Sequence, residues 1–586
     1  MSLAVLSLLA CAPLAPAASA SEAPAVGIAV ETLPQWWSAP GRAGWAPTAL
    51  ESGALPWSFA GLAAGGWRID DPFAPSAAHF GGLYEAQAPI AWYDSVAIVT
   101  GGDAAWTGFG AAVATARGIL RTPSNRQQRA VWTLVNGDGG LERHSLLLSR
   151  GDERSWLRAG ATGGKRSGLA DMGPGADHLW GVEGGTRRGA HTFDLRFSQR
   201  GTGEGQLGGS QTFEEGGRAR SGALGWAWSG EGQRASLRLT RDVEQRTSDA
   251  RSGGVFGERD LWTNGAELAL AQERGERGIE ARLAWSESRA VRTAEWRRLF
   301  EAWNHTEWLA LRAHAPLAGG RLELGIGGGR DRDLALREQR WQLAPSAEWT
   351  RTGSLRWRAY GERALQPVWH SLDRNFSPGA FLQDTWIGGL EASAGAPGRS
   401  AHVGVAGGRV GGRAVLGRYP ISDVSQRLGW AMDEQPYGFA LAEAVGEWSV
   451  RAVSADARGY VLARDESRTQ ANVDPALGGA AGLNARFALF TGDLKVRLRA
   501  EAAWVGERWS EGGSITFDDR LLPGYATFGA GATLGIGDAT VLLRWDGLEN
   551  TRHDLSWLDP ARYPEEVLAR TAGRRFRFEV SWPLMN

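Results

Sequence analysis

Histidines and paired acids are the side chains in this sequence that could bind a metal ion or carry protons. The nine histidines are spread between His79 and His553, and none of them has the His-Glu-x-x-His spacing of a zinc protease. Adjacent carboxylates at Asp70-Asp71, Asp331-Arg332-Asp333 and Asp518-Asp519 could hold a cation in a loop. Such pairs are more often solvated loop acids, so we predict no metal site.

Motifs for nucleophilic catalysis and for phosphate binding are absent from the sequence. There is no Gly-x-Ser-x-Gly elbow and no P-loop, and the many Gly-Gly pairs are not followed by a helix. The single cysteine, Cys11, lies close to the N-terminus, which excludes a disulfide framework. A net charge of −1 excludes the basic surface of a nucleic-acid-binding protein. We therefore predict a protein that is not an enzyme, with no cofactor and no nucleic-acid partner.

Arginine and glutamate recur at every second position of many short segments. Three examples are "HTFDLRFSQ" (191–199), "GIEARLAWS" (278–286) and "RRFRFEVSW" (574–582), in which the intervening positions are mostly Leu, Phe, Ile or Trp. A β-strand turns successive side chains to opposite faces, so this alternation predicts strands with one bulky apolar face and one charged face. Helical periodicity is nearly absent, and no βαβ pattern occurs, which disfavours a parallel sheet.

Short turns join pairs of these segments. Hairpin turns are predicted around Glu273–Glu276, Thr491–Asp493 and Gly535–Asp538, whereas longer polar stretches such as 241–258 separate other segments. Alternation of short turns with longer loops predicts an antiparallel up-and-down meander.

Tryptophan dominates the aromatic residues, with 29 Trp against 8 Tyr. Tryptophan favours the membrane–water interface, and transmembrane barrels carry aromatic girdles there. We assign to these girdles the tryptophans near predicted strand ends, namely Trp226, Trp228, Trp285, Trp308, Trp349, Trp504, Trp545 and Trp582. A soluble β-sandwich or propeller is the alternative, but no linker or repeat period divides the chain into modules.

A transmembrane β-barrel accommodates both faces of these strands. Hydrocarbon requires every backbone N–H and C=O to be paired, so a sheet can span a membrane only when it closes on itself. An arginine at the midplane of the lipid-facing surface costs about 2–4 kcal/mol, so the charged rows must face the lumen. With strands of about ten residues, the chain has room for roughly 20 strands or a few more, and so wide a lumen is either an aqueous channel or plugged. The sequence contains no run of about 18 apolar residues, so it predicts no transmembrane helix.

Seven arginines on the charged faces are predicted to line the lumen. They are Arg196, Arg238, Arg282, Arg356, Arg358, Arg497 and Arg499. They alternate with glutamates such as Glu267, Glu280 and Glu501. The more common role for such rows is a wall of ion pairs and water contacts. The alternative is a guide for an anionic solute or a docking wall for a plug.

The N-terminal segment 1–20 is predicted to be a signal peptide. Leu3 to Leu9 form a short apolar core, and Ala18-Ser19-Ala20 has the small-x-small pattern of a cleavage site. The segment has no basic n-region, because no Lys or Arg precedes Arg42. A lipoprotein signal ending at Cys11 is the less favoured alternative.

The stretch from Leu521 to His553, "LLPGYATFGAGATLGIGDATVLLRWDGLENTRH", resembles the closing strands of TonB-dependent outer-membrane receptors. It departs from the family at Gly547 and Glu549, where an Asn-Leu-Phe pattern is usual. The final "RRFRFEVSW" also resembles the last strand of that family. The resemblance implies an all-β fold, a large antiparallel transmembrane barrel of about 22 strands with a small N-terminal plug-like domain.

Two N-terminal segments resemble parts of the family's plug. They are Gly66 to Ser76 and Asp94 to Ser124, although Thr100 and Gly102-Asp103 stand where the family has Arg and Pro. We therefore expect a truncated plug-like domain over 21–124 and the barrel over 125–586. The resemblance implies that an energy-coupling segment precedes the plug, and we place it at Val26, Gly27, Ile28, Ala29 and Val30. We place the solute-binding plug apex at Asp71, Pro72, Phe73, His79 and Tyr84.

The function implied by this resemblance is the import of a scarce solute, such as an iron chelate, cobalamin or an oligosaccharide, across the outer membrane of a Gram-negative-type bacterium. The expected partners are outer-membrane lipid, the solute, the TonB inner-membrane energy complex and the barrel assembly machinery that reads the C-terminal strand. We expect a monomer. Two alternatives stay open: a passive porin-like or energy-uncoupled barrel, and a structural or adhesive surface barrel.

Overall fold

The described part of the chain is almost entirely β-strand. The computed structural model describes residues 44–45, 58–59, 67–70, 92–93, 95–101, 103–109, 114–119, 128–137, 141–152, 154–166, 175–206, 213–250, 257–294, 297–333, 338–369, 380–396, 398–411, 413–422, 425–433, 436–464, 476–509, 521–522, 524–546, 548 and 575–585.

The secondary structure of these residues comprises β-strands, one α-helix and one 3₁₀ turn. The N-terminal elements are β1 (Gly44–Trp45), β2 (Ser58–Phe59), β3 (Trp67–Asp70), β4 (Ser95–Thr100), α1 (Ala104–Thr107) and β5 (Ala114–Ile119). The next strands are β6 (Gln128–Gly137), β7 (Leu141–Gly151), β8 (Ser155–Arg166), β9 (Gly175–Arg188), β10 (His191–Gln206), β11 (Phe213–Gly230), β12 (Gln233–Ala250), β13 (Gly257–Arg274), β14 (Arg277–Ala294), β15 (Arg297–Leu317), β16 (Gly320–Asp333), β17 (Glu338–Arg351), β18 (Leu355–Trp369), β19 (Ala380–Ala396) and β20 (Arg399–Val410). The last are β21 (Arg413–Ser422), β22 (Ser425–Asp433), β23 (Tyr437–Val450), β24 (Val453–Arg464), β25 (Leu477–Leu489), the 3₁₀ turn Phe490–Gly492, β26 (Leu494–Val505), β27 (Arg508–Trp509), β28 (Leu521–Leu522), β29 (Tyr525–Ile536), β30 (Ala539–Asp546) and β31 (Arg575–Met585).

Twenty-two of the described strands close into one antiparallel barrel. The barrel contains β6 to β20, β23 to β26 and β29 to β31, and the closing ladder joins β31 to β6. The last strand therefore pairs with the first, with Trp582 opposite Trp132. The hairpins β21–β22 and β27–β28 lie within the connections that follow β20 and β26. The predicted large barrel of about 22 strands with a small N-terminal domain is confirmed.

Strand β15 illustrates how the two faces of the wall differ. The outward side chains of Leu309 and Leu311 are 54% and 48% exposed, whereas the inward Ala310 and Arg312 are 1% and 5% exposed. A water-soluble protein would bury such leucines, because large contiguous apolar surfaces mark interaction sites or lipid contact. The apolar row therefore faces hydrocarbon, and the charged row faces the lumen.

Tryptophans border this apolar belt at both ends. At the end of the barrel opposite the tight turns lie Trp303, Trp341, Trp386 and Trp504, and near the tight turns lie Trp448 and Trp582, all of them exposed. On β17, Trp341 and Trp349 stand on the same face; their separation corresponds to about 27 Å along the strand, or about 20 Å after a tilt of 35–45°. That height is close to the apolar band of a transmembrane barrel, which is about 25 Å. The assignment of Trp308 to a girdle is wrong. Its side chain occupies an inward position of β15 and is 3% exposed.

Tight turns gather at one end of the barrel. Gly189, Gly232, Gly275 and Gly537 lie in two-residue turns with φ of 59°, 66°, 60° and 57°. A left-handed backbone is what two-residue hairpin turns require, and glycine adopts it without steric cost. The predicted turns at Glu273–Glu276, Thr491–Asp493 and Gly535–Asp538 lie between paired strands. Among the described residues, no α-helix has the length and apolar character needed to cross a membrane.

Among the N-terminal elements, three strands form a separate small sheet in the order β3-β5-β4, with β3 parallel and β4 antiparallel to β5, and β1 pairs with β2. The ring of Trp92, which precedes β4, packs onto Gly160 of β8, where any side chain would occupy the space of the indole. The helix α1 contacts β15, β16, β17 and β18. These elements therefore lie against the inner surface of the barrel.

Candidate functional site

Besides the packing of Trp92 on Gly160, the N-terminal elements contact the barrel through one short stretch that makes several hydrogen bonds and ion pairs. We call Gly101 together with residues 103–109 the docking segment. It contains α1 and follows β4 directly. The inner faces of the adjacent strands β14 to β18 form its binding surface, which we call the docking wall.

Arg358 holds the start of the docking segment. Its guanidinium donates to the carbonyl of Gly101 at 2.9 Å and forms ion pairs with Glu391 at 2.8 Å and Glu348 at 3.0 Å. Strand register places the Glu391 carboxylate beside the guanidinium, because Arg358 lies directly opposite Glu391 on β19. The guanidinium also stacks on the ring of Tyr360 at 4.3 Å, so this buried cation is satisfied on several sides.

The docking wall satisfies backbone groups at both ends of α1. The first N–H groups and last C=O groups of any helix lack partners within the helix. The carboxylate of Glu362 accepts a hydrogen bond from the Ala104 N–H at 2.7 Å. Arg282 donates to the carbonyls of Trp106 at 2.5 Å and Thr107 at 3.1 Å, and pairs with Glu267 at 2.8 Å. An acid at the N-terminal end and a base at the C-terminal end also have the charges that a helix end favours.

Arg312 forms the centre of an ionic cluster beneath α1. It pairs with Glu280 on β14 and with Glu323 on β16, the latter at 3.1 Å. Asp103 lies 3.9 Å from the same guanidinium, and the ring of Trp106 covers it at 4.6 Å. The docking segment thus completes a charge network that the wall begins, and its indole shields the cation from water.

An apolar cluster fixes the end of the docking segment. Phe109 meets the ring of Trp308 edge-on at 5.1 Å, and the indole N–H of Trp308 donates to the Ala105 carbonyl at 2.9 Å. Two glycines of β16, Gly325 and Gly327, leave the space that Ala105 occupies. A side chain at Gly327 would collide with the Ala105 carbonyl, and one at Gly325 would overlap Ser346 and crowd Ala105, so the wall is shaped to receive the segment.

Replacing Gly101 by alanine is expected to loosen the segment. Gly101 has a φ of +64°, and a Cβ there would overlap the ring of Tyr360. We expect a loss of about 1–2 kcal/mol from the left-handed backbone and about 1–3 kcal/mol from overpacking. The rate of proteolysis within the segment, measured in detergent micelles, should rise accordingly.

Gly189 provides the matched control for that substitution. Its φ is +59°, but a Cβ there would meet open space. Gly189→Ala should therefore show the backbone cost without faster proteolysis of the docking segment. Equal proteolysis in the two variants would contradict the packing of Gly101 on Tyr360.

The structure brings two of the seven predicted lumen arginines, Arg282 and Arg358, to the docking segment. Of the other five, Arg196 pairs with Glu183 at 3.1 Å, Arg497 donates to Asn484 at 3.0 Å, Arg499 pairs with Asp456 at 2.6 Å, and Arg238 and Arg356 are exposed.

Sequence reasoning missed Arg312, Trp308 and Glu362 as members of the site. Their inward positions follow from the same alternation that marks Arg282. Arg312, for example, lies an odd number of residues from the outward Leu309 and Leu311, so its side chain points to the opposite face. No signal in the sequence distinguishes an inward residue that contacts the segment from one that does not.

Several predicted residues lie outside the described part of the chain. These are the leader 1–20, the coupling segment Val26–Val30, the apex residues Asp71, Pro72, Phe73, His79 and Tyr84, and the boundary between 124 and 125. The acidic pair of Asp331 and Asp333 is in strand β16 and not in a loop as expected, because the alternating pattern continues through it. Among the residues that the structure describes, no three His, Cys, Asp or Glu side chains are close enough to hold a metal ion.

Comparison with known proteins identifies the fold. No protein-family model matches the sequence, and no curated protein matches it. Among solved structures, the chain is similar to the copper transporter OprC, with a TM-score of 0.76, 12% identity, and coverage of 95% of this chain and 96% of that one. It is similar to BauA, the ferric preacinetobactin receptor of Acinetobacter baumannii, with a TM-score of 0.73, 11% identity, and coverage of 95% and 94%.

A third similar structure is the FrpB iron transporter of Neisseria meningitidis, with a TM-score of 0.71, 10% identity, and coverage of 95% of this chain and 99% of that one. At these identities the similarity is one of fold, and it extends over nearly the whole length of both chains. The chain has the fold of TonB-dependent receptors, as its C-terminal residues predict.

Proposed function

We propose that this chain imports a scarce solute across a bacterial outer membrane, as a plugged barrel that depends on TonB. The similar structures are named as transporters or receptors for copper, ferric preacinetobactin and iron. They favour a metal chelate, and an iron chelate in particular, over cobalamin or an oligosaccharide as the solute. The protein is not an enzyme in this proposal, since the similar structures are named as transporters and receptors.

The observation that carries this proposal is the way the docking segment is held. Its polar contacts with the wall include hydrogen bonds from Arg282 and Arg358 to segment carbonyls, a hydrogen bond from the Ala104 N–H to Glu362, and the approach of Asp103 to Arg312. Apolar packing adds the Phe109 cluster and the contact of Ala104 with Ala364. A hydrogen bond to a charged group contributes about 1.5–3 kcal/mol net. Such contacts hold a segment in place and release one at a time under force, so the segment can be withdrawn without disrupting the barrel.

The remaining partners are part of the same proposal. The exposed leucine belt between the tryptophan girdles fits outer-membrane lipid. The barrel closes through the ladder between β31 and β6, which favours a monomer. In this proposal residues 21–124 are the plug, Val26–Val30 contact the TonB energy complex, and Asp71, Pro72, Phe73, His79 and Tyr84 contribute to the solute site. The barrel assembly machinery reads the last strand.

Deletion of residues 21–35 tests the energy coupling. We expect energy-dependent uptake of radiolabelled ferric chelates to fall to the level of cells treated with a protonophore, because the plug could no longer be pulled. Uptake would be measured in cells producing equal amounts of barrel, with cobalamin and a maltodextrin as parallel probes. A protonophore added to cells with the intact chain is the matched control.

Two results would overturn this proposal. Unchanged uptake that ignores the protonophore would identify a passive or energy-uncoupled barrel. Failure of the purified chain to pass any of these solutes across reconstituted bilayers, even after removal of residues 21–124, would identify a structural or adhesive barrel.

A further inference from the structure

The ladder between β17 and β18 ends partway along both strands. These two strands pair from Arg351 opposite Trp357 only as far as Ser346 opposite Glu362. Beyond that point β17 continues its pairing with β16 to Glu338, and β18 continues its pairing with β19 to Trp369. Within the described stretch 338–369, residues 338–345 and 363–369 thus face each other without a ladder. We call this gap the seam.

A proline explains why the ladder ends there. Pro345 is the first residue of β17 beyond the last pair. The carbonyl of Leu343 points across the seam, where it accepts a hydrogen bond from Arg363 at 2.7 Å. In an antiparallel pair alternate residues direct their backbone groups to the same neighbour, so the backbone nitrogen of Pro345 also faces β18. Proline has no N–H to donate, so the next pair of the ladder loses one of its two hydrogen bonds.

Arg363 spans the seam with its side chain. In addition to the Leu343 carbonyl, it donates to the side-chain oxygen of Gln342 at 3.1 Å on β17. Its position on the barrel is fixed by Asp384 of β19, which accepts hydrogen bonds from the guanidinium at 2.9 Å and 2.6 Å. Arg363 lies opposite Trp386, an exposed tryptophan of the outer girdle, so this bridge is on the outer side of the wall.

Phe109 closes the seam from the inside. Its backbone forms a parallel bridge with Leu365 of β18, in the place that β17 would have occupied. Its side chain belongs to a buried apolar cluster with Trp308, Ala310, Ala344 and Leu365. The inner surface beside the seam is therefore apolar, whereas the docking wall around it is ionic.

We propose that the seam is a side portal through which an apolar group passes between the lumen and the bilayer, with Phe109 as its inner closure and Arg363 as its outer closure. When the docking segment withdraws, Trp308, Ala310, Ala344 and Leu365 are left as an apolar surface next to an incomplete ladder. Outside the seam, Leu343 and Trp341 of β17 are 52% and 68% exposed and face the membrane. The group that fits this path is a single aliphatic chain, such as the acyl tail of an amphiphilic chelate. This inference rests on the proposed withdrawal of the docking segment.

Thiol labelling in lipid vesicles tests the portal. In the full-length chain Cys11 is replaced by serine, and Ala310→Cys places one thiol on the apolar surface behind the seam. The probe is a maleimide with an 18-carbon chain dissolved in the bilayer, which is itself a single aliphatic chain. We expect Phe109→Ala to raise its labelling rate by about tenfold or more, since the inner closure is removed. Arg363→Gln should raise the rate independently, from the outer side.

Ala219→Cys is the matched control, because Ala219 is an equally buried inward residue of β11, away from the seam. Labelling there should change by less than about twofold in either background. The portal is refuted if neither substitution raises labelling at position 310, if position 219 responds equally, or if only a charged, water-soluble maleimide gains access. Labelling requires neither the energy complex nor an imported solute, so its outcome is separate from the failure of the uptake experiment.

Discussion

Replacing Arg358 by methionine is expected to undock the segment and open the lumen to ions. Arg358 is 5% exposed and is shared by Glu348, Glu391 and the carbonyl of Gly101. Removal of one partner of a buried ion pair costs about 3–5 kcal/mol, because the remaining charges stay buried without compensation. A loss of that size shifts the docking equilibrium by about 100- to 4,000-fold, at about 1.4 kcal/mol for each factor of ten.

Conductance across planar bilayers measures this opening. The wild-type chain should be largely closed, and Arg358→Met should show frequent large openings. Arg356→Met is the matched control, since Arg356 stands two residues away on the same face of β18 but is exposed. Closed behaviour of both variants would show that the docking segment does not depend on the buried cation.

Two further substitutions should partly reverse the opening caused by Arg358→Met. If the cost arises from carboxylates left unpaired, then Glu348→Gln and Glu391→Gln added to Arg358→Met should restore part of the closure. Replacing all the partners of a polar network is often close to neutral, whereas removing one is costly. No recovery in the triple variant would assign the effect to lost packing on Tyr360 instead.

Introducing arginine on the outer surface of β15 is expected to destabilise the barrel in a depth-dependent way. Leu309 is near the middle of the strand and is 54% exposed toward lipid. Leu309→Arg should lower the free energy of unfolding by about 2–4 kcal/mol, which is the cost of arginine at the bilayer midplane. Reversible urea unfolding in thin-bilayer vesicles, followed by tryptophan fluorescence, would measure this.

Leu317→Arg is the control for that prediction. Leu317 ends the same strand on the same face and is 51% exposed, but it lies next to the tight turn. Near the interface the cost falls to about 0–1 kcal/mol. Equal destabilisation at the two positions would argue against a membrane spanning the middle of β15.

The alternation of apolar and charged residues was sufficient to predict the wall of the barrel. Leu309 and Leu311 face outward, and Ala310 and Arg312 face inward, because a strand allows only two directions for its side chains. The hairpin turns were likewise predictable from local residues such as Gly275 and Gly537, which supply a left-handed backbone. The closing strand pairs with the first because a transmembrane sheet cannot leave an edge unpaired.

The two-residue alternation did not identify which inward side chains contact the docking segment. The sequence predicts Trp308 to be an interface tryptophan. On β15, however, its side chain is on the inner face and contacts Ala105. Its partner on the docking segment lies 203 positions earlier in the chain, and the partner of Arg358 lies 257 positions earlier. Such pairs are determined by the register of all the intervening strands, which a local pattern does not contain.

The amino-acid sequence by itself determined the direction of each strand's two faces, the positions of the tight turns and the closure of the sheet, because these depend on neighbouring residues and on the requirement to pair every backbone group in lipid. Only the tertiary structure decided where the docking segment lies, which arginines hold it and where the ladder between β17 and β18 ends. These features depend on how strands distant in the sequence are brought side by side around the barrel.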